Sequence, residues 1–312
     1  MNIAVLDGRA LEPLSWDRLK AYGEVSVYAQ SAPEEVLDRA EGKEALLVNK
    51  IALGEKELSR LPDLKYIGIT ATGFNIIDLE SAKRHGITVT NVPAYSTDAV
   101  AESVFSFLLS YCHRPVEQTA LVKEGKWTDA GFFTFYSYPL YELKGKTLGI
   151  VGMGNIGRRV ADIAAAFGMR VLYNARSEKQ GVAGSFVSLP ELLSASDFIT
   201  LHTALTEETR ELINKDTLKM MKKSAVLINT ARGPLVNEED LYDALRTGTI
   251  AFAALDVMSS EPPQPSPLFK LSNVYITPHV AWAPLETRTR LQEVVFTNFE
   301  SWLDGKPVNV VV

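Results

Sequence analysis

Thr147-Leu148-Gly149-Ile150-Val151 runs without a break into Gly152-Met153-Gly154-Asn155-Ile156-Gly157, and then into Arg158-Arg159-Val160-Ala161-Asp162-Ile163-Ala164. The opening residues read as a strand and the closing ones as a helix, so G-x-G-x-x-G stands at a strand-to-helix junction. Each glycine has a task there. Gly152 permits the tight turn, Gly154 lets the backbone approach a pyrophosphate, and Gly157 allows strand and helix to pack closely. The helix start leaves unpaired N–H groups pointing outward, where Asn155 and Ile156 would meet phosphate. A purely structural glycine turn is the competing reading, and the flanking strand and helix weigh against it.

Working outward, short β-branched runs alternate with helical patterns in both directions. Ahead of the motif lie runs at 3–6, 25–28, 45–48, 66–69 and 87–90, with helical segments such as 34–40 and 78–85 between them. From the motif onward the runs fall at 147–151, 170–173, 198–201, 225–229, 250–255 and 274–276. Such alternation builds parallel sheets. The expected fold class is α/β, with two doubly wound parallel-sheet domains: a flavodoxin-like substrate domain and a Rossmann dinucleotide-binding domain. At 312 residues the chain exceeds what one core supports, and two domains imply a cleft. Ser96-Thr97-Asp98 followed by Glu102 reads as a helix start, and 99–123 as one long connecting helix. The last helical pattern, 285–303, would return to the first domain. The expected boundaries are therefore 1–98 with 285–312 for a discontinuous substrate domain, and 99–284 for the dinucleotide domain.

Composition narrows the function. Hydrophobic residues at 46% and charged residues at 22% supply two globular cores, which argues against disorder. A net charge of -6 argues against nucleic acid as a partner, because phosphate contacts need a concentrated basic surface. The single cysteine, Cys112, follows an apolar run and reads as a small buried hydrophobe, with no intrachain disulfide possible. No charged-then-apolar leader and no membrane-length apolar stretch is present, so a soluble cytoplasmic protein with no membrane partner is expected. No bound metal is expected either. The segment 127–141 carries Trp127, Phe132, Phe133, Phe135, Tyr136, Tyr138 and Tyr141 without clear periodicity. An arm that packs on a second subunit in a homodimer accounts for it; a loop folded on its own chain is the alternative.

Where the cofactor is NAD, the second strand of a dinucleotide domain ends near a carboxylate that binds the ribose hydroxyls, about 20 residues past the first glycine. Here the residues are Tyr173-Asn174-Ala175-Arg176-Ser177, with Lys179 beyond. Arg176 suits a 2′-phosphate, since guanidinium pairs well with phosphate oxygens. Asn174 and Arg176 are the expected contacts, and the reading leans to NADP(H). The other possibility is a solvated arginine on an exposed turn, with NAD(H) as cofactor.

Three strand ends in the second half carry polar residues a bland fold would not need: Asn229-Thr230-Ala231-Arg232-Gly233, Leu255-Asp256-Val257 with Glu261-Pro262, and Thr277-Pro278-His279. Loops at the carboxyl ends of parallel strands build active sites. With GMGNIG, HTALTEET, NTARGPLVNEEDL, ALDV and EP, and TPHVAW in this order, the chain resembles the D-isomer-specific 2-hydroxyacid dehydrogenase family over nearly its whole length. The resemblance implies a catalytic trio of Arg232, Glu261 and His279.

Chemistry assigns the same roles. Reducing a 2-keto acid adds hydride to C2 and a proton to oxygen, so an acid working near neutrality must stand beside that oxygen, and His279 is the best placed of the four histidines. Glu261 would accept a hydrogen bond from the other imidazole nitrogen, favouring the protonated ring and fixing its orientation. Arg232 keeps its charge and would hold the substrate carboxylate while polarising the keto oxygen. Taken singly, the three read as a strand-end cap, a residue before proline and a solvated loop cation.

The resemblance further implies that His202, Thr203, Thr230, Ala231 and Asp256 contact the cofactor, Asp256 at the nicotinamide carboxamide. In the first domain it implies that backbone N–H groups of Thr72 and Gly73 bind the substrate carboxylate, although a plain strand-to-helix turn also explains Gly73. Lys50 ends another strand and faces either the cleft or solvent. Within the family, Asn91-Val92-Pro93-Ala94-Tyr95, Ala71-Thr72-Gly73-Phe74-Asn75 and Trp282 look most like glycerate dehydrogenases, also called hydroxypyruvate reductases. That resemblance implies hydroxypyruvate or glyoxylate as substrate and D-glycerate or glycolate as product. D-lactate-type enzymes are the next reading. Formate dehydrogenases, with glutamine as the histidine's partner, and phosphoglycerate dehydrogenases with a regulatory extension fit less well. Met258-Ser259-Ser260 and Ala204 depart from the family pattern and bear on pocket shape. A dinucleotide-sensing corepressor on the same fold is the alternative from another class.

Overall fold

The computed structural model describes all 312 residues. By its contacts the chain divides into two units: Met1–Ser96 with Ala283–Val312, and Thr97–Trp282.

The first unit holds β1 (Asn2–Val5), β2 (Glu24–Val27), β3 (Ala45–Val48), β4 (Tyr66–Ile69) and β5 (Thr88–Thr90) in the order β2-β1-β3-β4-β5, every neighbour parallel. This is the flavodoxin-like order. β3 and β4 are buried at every position, as unbroken apolar runs in a two-sided parallel sheet should be. Helix Leu285–Leu303 packs on β4, with Tyr66 edge-on to Phe299 at 5.6 Å and tilted against Trp302 at 4.8 Å. The chain end then covers the open edge of β5: Val89 N–H donates to the Val312 carbonyl at 2.8 Å, and Val311 N–H to the Val89 carbonyl at 2.8 Å.

The second unit holds β6 (Thr147–Val151), β7 (Arg170–Asn174), β8 (Ser185–Phe186), β9 (Phe198–Leu201), β10 (Val226–Asn229), β11 (Phe252–Leu255) and β12 (Val274–Ile276). Their order is β12-β11-β10-β9-β6-β7-β8, again all parallel, and the winding reverses between β6 and β9. Period-2 alternation sends side chains to two cores. Leu148, Ile150, Val226 and Ile228 enter one, and Val151, Ile199, Leu201 and Leu227 the other.

Residues 99–123 do not form one helix. Helix Thr97–His113 ends at Arg114, which sits at φ 50, and a second helix, Pro115–Lys123, starts there. Pro115 offers no N–H and disfavours a helical residue before it, so the chain turns. Arg114 is held in that turn by aromatic faces: Phe252 lies 4.8 Å and Tyr111 4.9 Å from its guanidinium carbon, and Glu117 accepts from Nη1 at 3.3 Å. Helix Thr97–His113 packs against Asn155–Ala166 within the second unit. Beyond helix Lys126–Ala130 the aromatic segment is irregular, and Phe132, Phe133 and Tyr136 stand 63%, 79% and 69% exposed. No helix is long and apolar enough to cross a membrane.

Candidate active site

Register builds the site. Val151 pairs with Asn174 and with Leu201, Leu201 with Asn229, Asn229 with Leu255, and Leu255 with Ile276. The next residue after each strand, namely Gly152, Ala175, His202, Thr230, Asp256 and Thr277, therefore lines one edge of the sheet. Ligands of open α/β sheets bind at this carboxyl edge, near the reversal in strand order.

At the glycine motif, Gly152 has φ 100 and lies against the backbone of His202 and Thr203, where any Cβ would collide. A Cβ at Gly157 would strike the Gly152 carbonyl, whereas space around Gly154 is open. Helix Asn155–Ala166 begins with no side-chain cap, and no chain group accepts from the N–H groups of Asn155 and Ile156. Thr230 Oγ1 is buried without a hydrogen-bond partner. An uncapped helix start, an open glycine and an orphaned buried hydroxyl on one sheet edge fit a dinucleotide. His202 is half-buried, desolvation of its ring pushes it down to about 3 so that it is neutral at physiological pH, and Nε2 pairs with Thr200 Oγ1 at 2.9 Å.

Beyond β7, the Asn174 side-chain amide donates to the Val187 carbonyl at 2.9 Å. Arg176 is exposed, and its side chain makes no hydrogen bond or ion pair in the chain.

The catalytic candidates occupy the loops after β10, β11 and β12. His279 Nδ1 lies 2.6 Å from Glu261 Oε2, and Nε2 has no partner in the chain. Their side chains are 25% and 34% exposed, so the pair meets solvent and substrate-sized molecules. His279 adopts φ 54, a strained left-handed backbone held by its neighbours. Asp256 is the holder. Its carboxylate accepts from Thr277 Oγ1 at 2.6 Å, Val280 N–H at 2.9 Å and Ala281 N–H at 2.9 Å, while its own carbonyl accepts the His279 N–H at 2.8 Å. Three of roughly four carboxylate acceptor sites are thereby used, leaving one open. Arg232 is exposed, and its backbone is fixed by Asn229, whose side chain accepts the Ala231 N–H at 3.0 Å and donates to the Arg232 carbonyl at 2.8 Å. Gly233 lets this loop touch the backbone at Met258 and Ser259, where a Cβ would overlap.

In the first unit, Thr72 Oγ1 donates to the Val92 carbonyl at 2.7 Å and Asn91 Nδ2 donates to the Thr72 carbonyl at 2.7 Å. So anchored, Thr72 and Gly73 keep backbone N–H groups that donate to nothing in the chain. Lys50 is exposed after β3, with its N–H bonded to Asp7 at 2.6 Å. Asp7 is half-buried, and desolvation raises it above the ordinary carboxylate range against the N–H groups of Lys50 and Asn49. Asp7 is a positioning residue the motif reading passed over, and Asn91, Asn229 and Thr277 are positioning residues that stood in its motifs without a role. A polar residue at a strand end, able to bond backbone two or more residues away, was the available signal.

A Rossmann edge of this kind, with an imidazole–carboxylate pair and an exposed guanidinium, whose Nη1 donates to the Ala231 carbonyl at 2.7 Å, beyond neighbouring strands, is the edge of a nicotinamide-dependent dehydrogenase. Residues 105–281 match the family model for the D-isomer specific 2-hydroxyacid dehydrogenase NAD binding domain. The chain is 41% identical to a hydroxypyruvate reductase of Blautia hydrogenotrophica, covering 100% of this chain and 99% of that one. It is 40% identical to a glycerate dehydrogenase of Methylorubrum extorquens, over 89% and 88% of the two chains. The solved structure of an acyclic imino acid reductase in complex with NADPH and D-Arg superposes with a TM-score of 0.88 at 31% identity, covering 100% of both chains. The chain belongs to the D-isomer-specific 2-hydroxyacid dehydrogenase family. It is an oxidoreductase that reduces 2-keto acids with a nicotinamide dinucleotide.

Proposed function

We propose that the enzyme reduces hydroxypyruvate or glyoxylate to D-glycerate or glycolate, with NADPH preferred over NADH, and that Arg232, Glu261 and His279 carry the reaction. The observation that carries this reading is the 2.6 Å contact between His279 Nδ1 and Glu261 Oε2, which leaves Nε2 open toward a substrate oxygen. A bound reduced nicotinamide supplies hydride to C2 of the keto acid. Protonated His279 gives its Nε2 proton to the carbonyl oxygen, and the carboxylate of Glu261 stabilises the imidazolium before transfer. Arg232 holds the substrate carboxylate through charge-assisted hydrogen bonds and draws electron density toward the keto oxygen. In the first unit, the open N–H groups of Thr72 and Gly73 suit a carboxylate, and Lys50 adds positive charge there.

The full-length likeness to a hydroxypyruvate reductase, and the likeness over most of the chain to a glycerate dehydrogenase, support the substrate choice. Exposed Arg176, with no carboxylate at Asn174 or Ala175, supports NADPH. His202, Thr203, Thr230, Ala231 and Asp256 complete the cofactor edge, with the remaining Asp256 acceptor on the carboxamide. The enzyme works as a cytoplasmic homodimer joined through the aromatic segment 127–141, whose exposed rings support that assembly. A panel of 2-keto acids assayed with NADH and with NADPH, following absorbance of the reduced cofactor, tests substrate and cofactor together. Hydroxypyruvate or glyoxylate should give the highest kcat/KM; pyruvate in first place would replace this reading with a D-lactate-type enzyme.

A further inference from the structure

Tyr173, the penultimate residue of β7, is fully buried, with its ring 5.5 Å from Phe186 on neighbouring β8. Its hydroxyl does not end in the core. It accepts the Lys179 N–H at 2.9 Å and donates to the Lys179 carbonyl at 3.2 Å. One hydroxyl thus ties down both backbone groups of a residue in the excursion between β7 and β8. Arg158, immediately after the glycine motif, reaches the same excursion through Nη1 to the Gln180 carbonyl at 3.2 Å. At the tip Arg176, Ser177 and Glu178 are exposed, and Lys179 Nζ donates to Ser177 Oγ at 3.2 Å.

A core position asks only for an aromatic ring, which phenylalanine supplies. The hydroxyl must be paired once buried, and both of its bonds go to the segment that carries Arg176 and Lys179. Ordering an unstructured surface segment costs conformational entropy, so a tie made before ligand arrives preserves binding energy that ordering would consume. Two cations against the single carboxylate of Glu178 leave the tip suited to an anion.

We propose that Tyr173 is a positioning residue for cofactor choice, its hydroxyl holding the 174–180 segment so that Arg176, Ser177 and Lys179 are preset for the 2′-phosphate of NADP(H). The proposal rests on NADP(H) being the preferred cofactor. Tyr173→Phe is isosteric and removes only the tie. In calorimetric titrations of the ligand-free enzyme it should weaken adenosine 2′,5′-bisphosphate about tenfold and leave adenosine 5′-monophosphate unchanged within about twofold. Amide exchange over 175–180 should accelerate, and the KM for NADPH should rise by a similar factor at constant kcat. Three results overturn the proposal, and they point to different errors. Wild type binding the bisphosphate no tighter than the monophosphate removes the NADP(H) reading and the proposal with it. Preference for the bisphosphate in wild type, kept intact in Tyr173→Phe, removes the tie alone. Equal weakening of both nucleotides assigns the hydroxyl a general structural role.

Discussion

His279 and Glu261 are 18 residues apart in sequence and 2.6 Å apart in space, and the kinetics should show that pairing. His279→Ala should lower turnover about 10²–10⁴-fold, the usual worth of general acid catalysis, while fluorescence titration finds NADPH binding nearly intact. Because reduction takes up a proton and oxidation releases one, reduction should slow and oxidation quicken as pH rises. Glu261→Gln should lower kcat in both directions, since Nδ1 of His279 loses the carboxylate that orients the ring. Fast reduction with an unaltered profile in His279→Ala would take this residue out of the mechanism. His202 makes the opposite kind of contribution. Unfolded, it takes up a proton near pH 6.5, whereas burial holds the folded group down to about 3. Between those values the unfolded chain binds more protons, so this part of the stability is complete above pH 6.5 and falls on acidification toward 3. By pH 5 the loss should reach about 2 kcal/mol. Urea unfolding at pH 7.5 and pH 5 checks it: His202→Gln should lose about that much less stability than wild type over the interval, and equal losses would show that His202 protonates in the folded enzyme too.

Among the elements, the loop after β12 depends most on a single partner. Asp256 is nearly inaccessible, and three donors from Thr277, Val280 and Ala281 converge on its carboxylate. In Asp256→Asn an amide NH₂ would face one of those donors and leave it unpaired, costing about 1–3 kcal/mol. The variant should unfold at lower urea and lose more in kcat than in NADPH affinity, because the left-handed turn at His279 would no longer be held. An unchanged kcat would reduce Asp256 to a packing residue. This staple was hidden in the sequence, since its donors lie more than 20 residues away and only the β11–β12 register brings them near. The loops that carry Arg232, Glu261 and His279 were legible because each follows an apolar strand, although each residue taken singly had a bland alternative. The helix break at Arg114 was missed, although Pro115 carried the signal for it. Apolar periodicity carried straight across it, and the local stereochemistry of proline prevailed over the periodic pattern.

On the scale of the whole molecule, alternating apolar runs and helical patterns identified two parallel α/β sheets, because buried parallel strands must be continuously apolar. Strand order was less accessible: crossover handedness and the covering of β5 by Val310–Val312 arise from tertiary packing that periodicity does not encode. The segment 127–141 was distinctive for the opposite reason, being rich in aromatics yet following neither period. Its Phe132, Phe133 and Tyr136 remain largely exposed in the single chain, although adjacent exposed rings of this size are uncommon on a monomer surface. A second copy presenting the same surface about a twofold axis would cover them, which is how closed oligomers form from one self-complementary patch. Light scattering at micromolar concentration should therefore report a dimer. Replacing both Phe132 and Phe133 by Asp places like charges in that contact and should give a monomer with unchanged circular dichroism. A monomeric wild type, or a dimer that survives the double substitution, would move the subunit contact away from this segment.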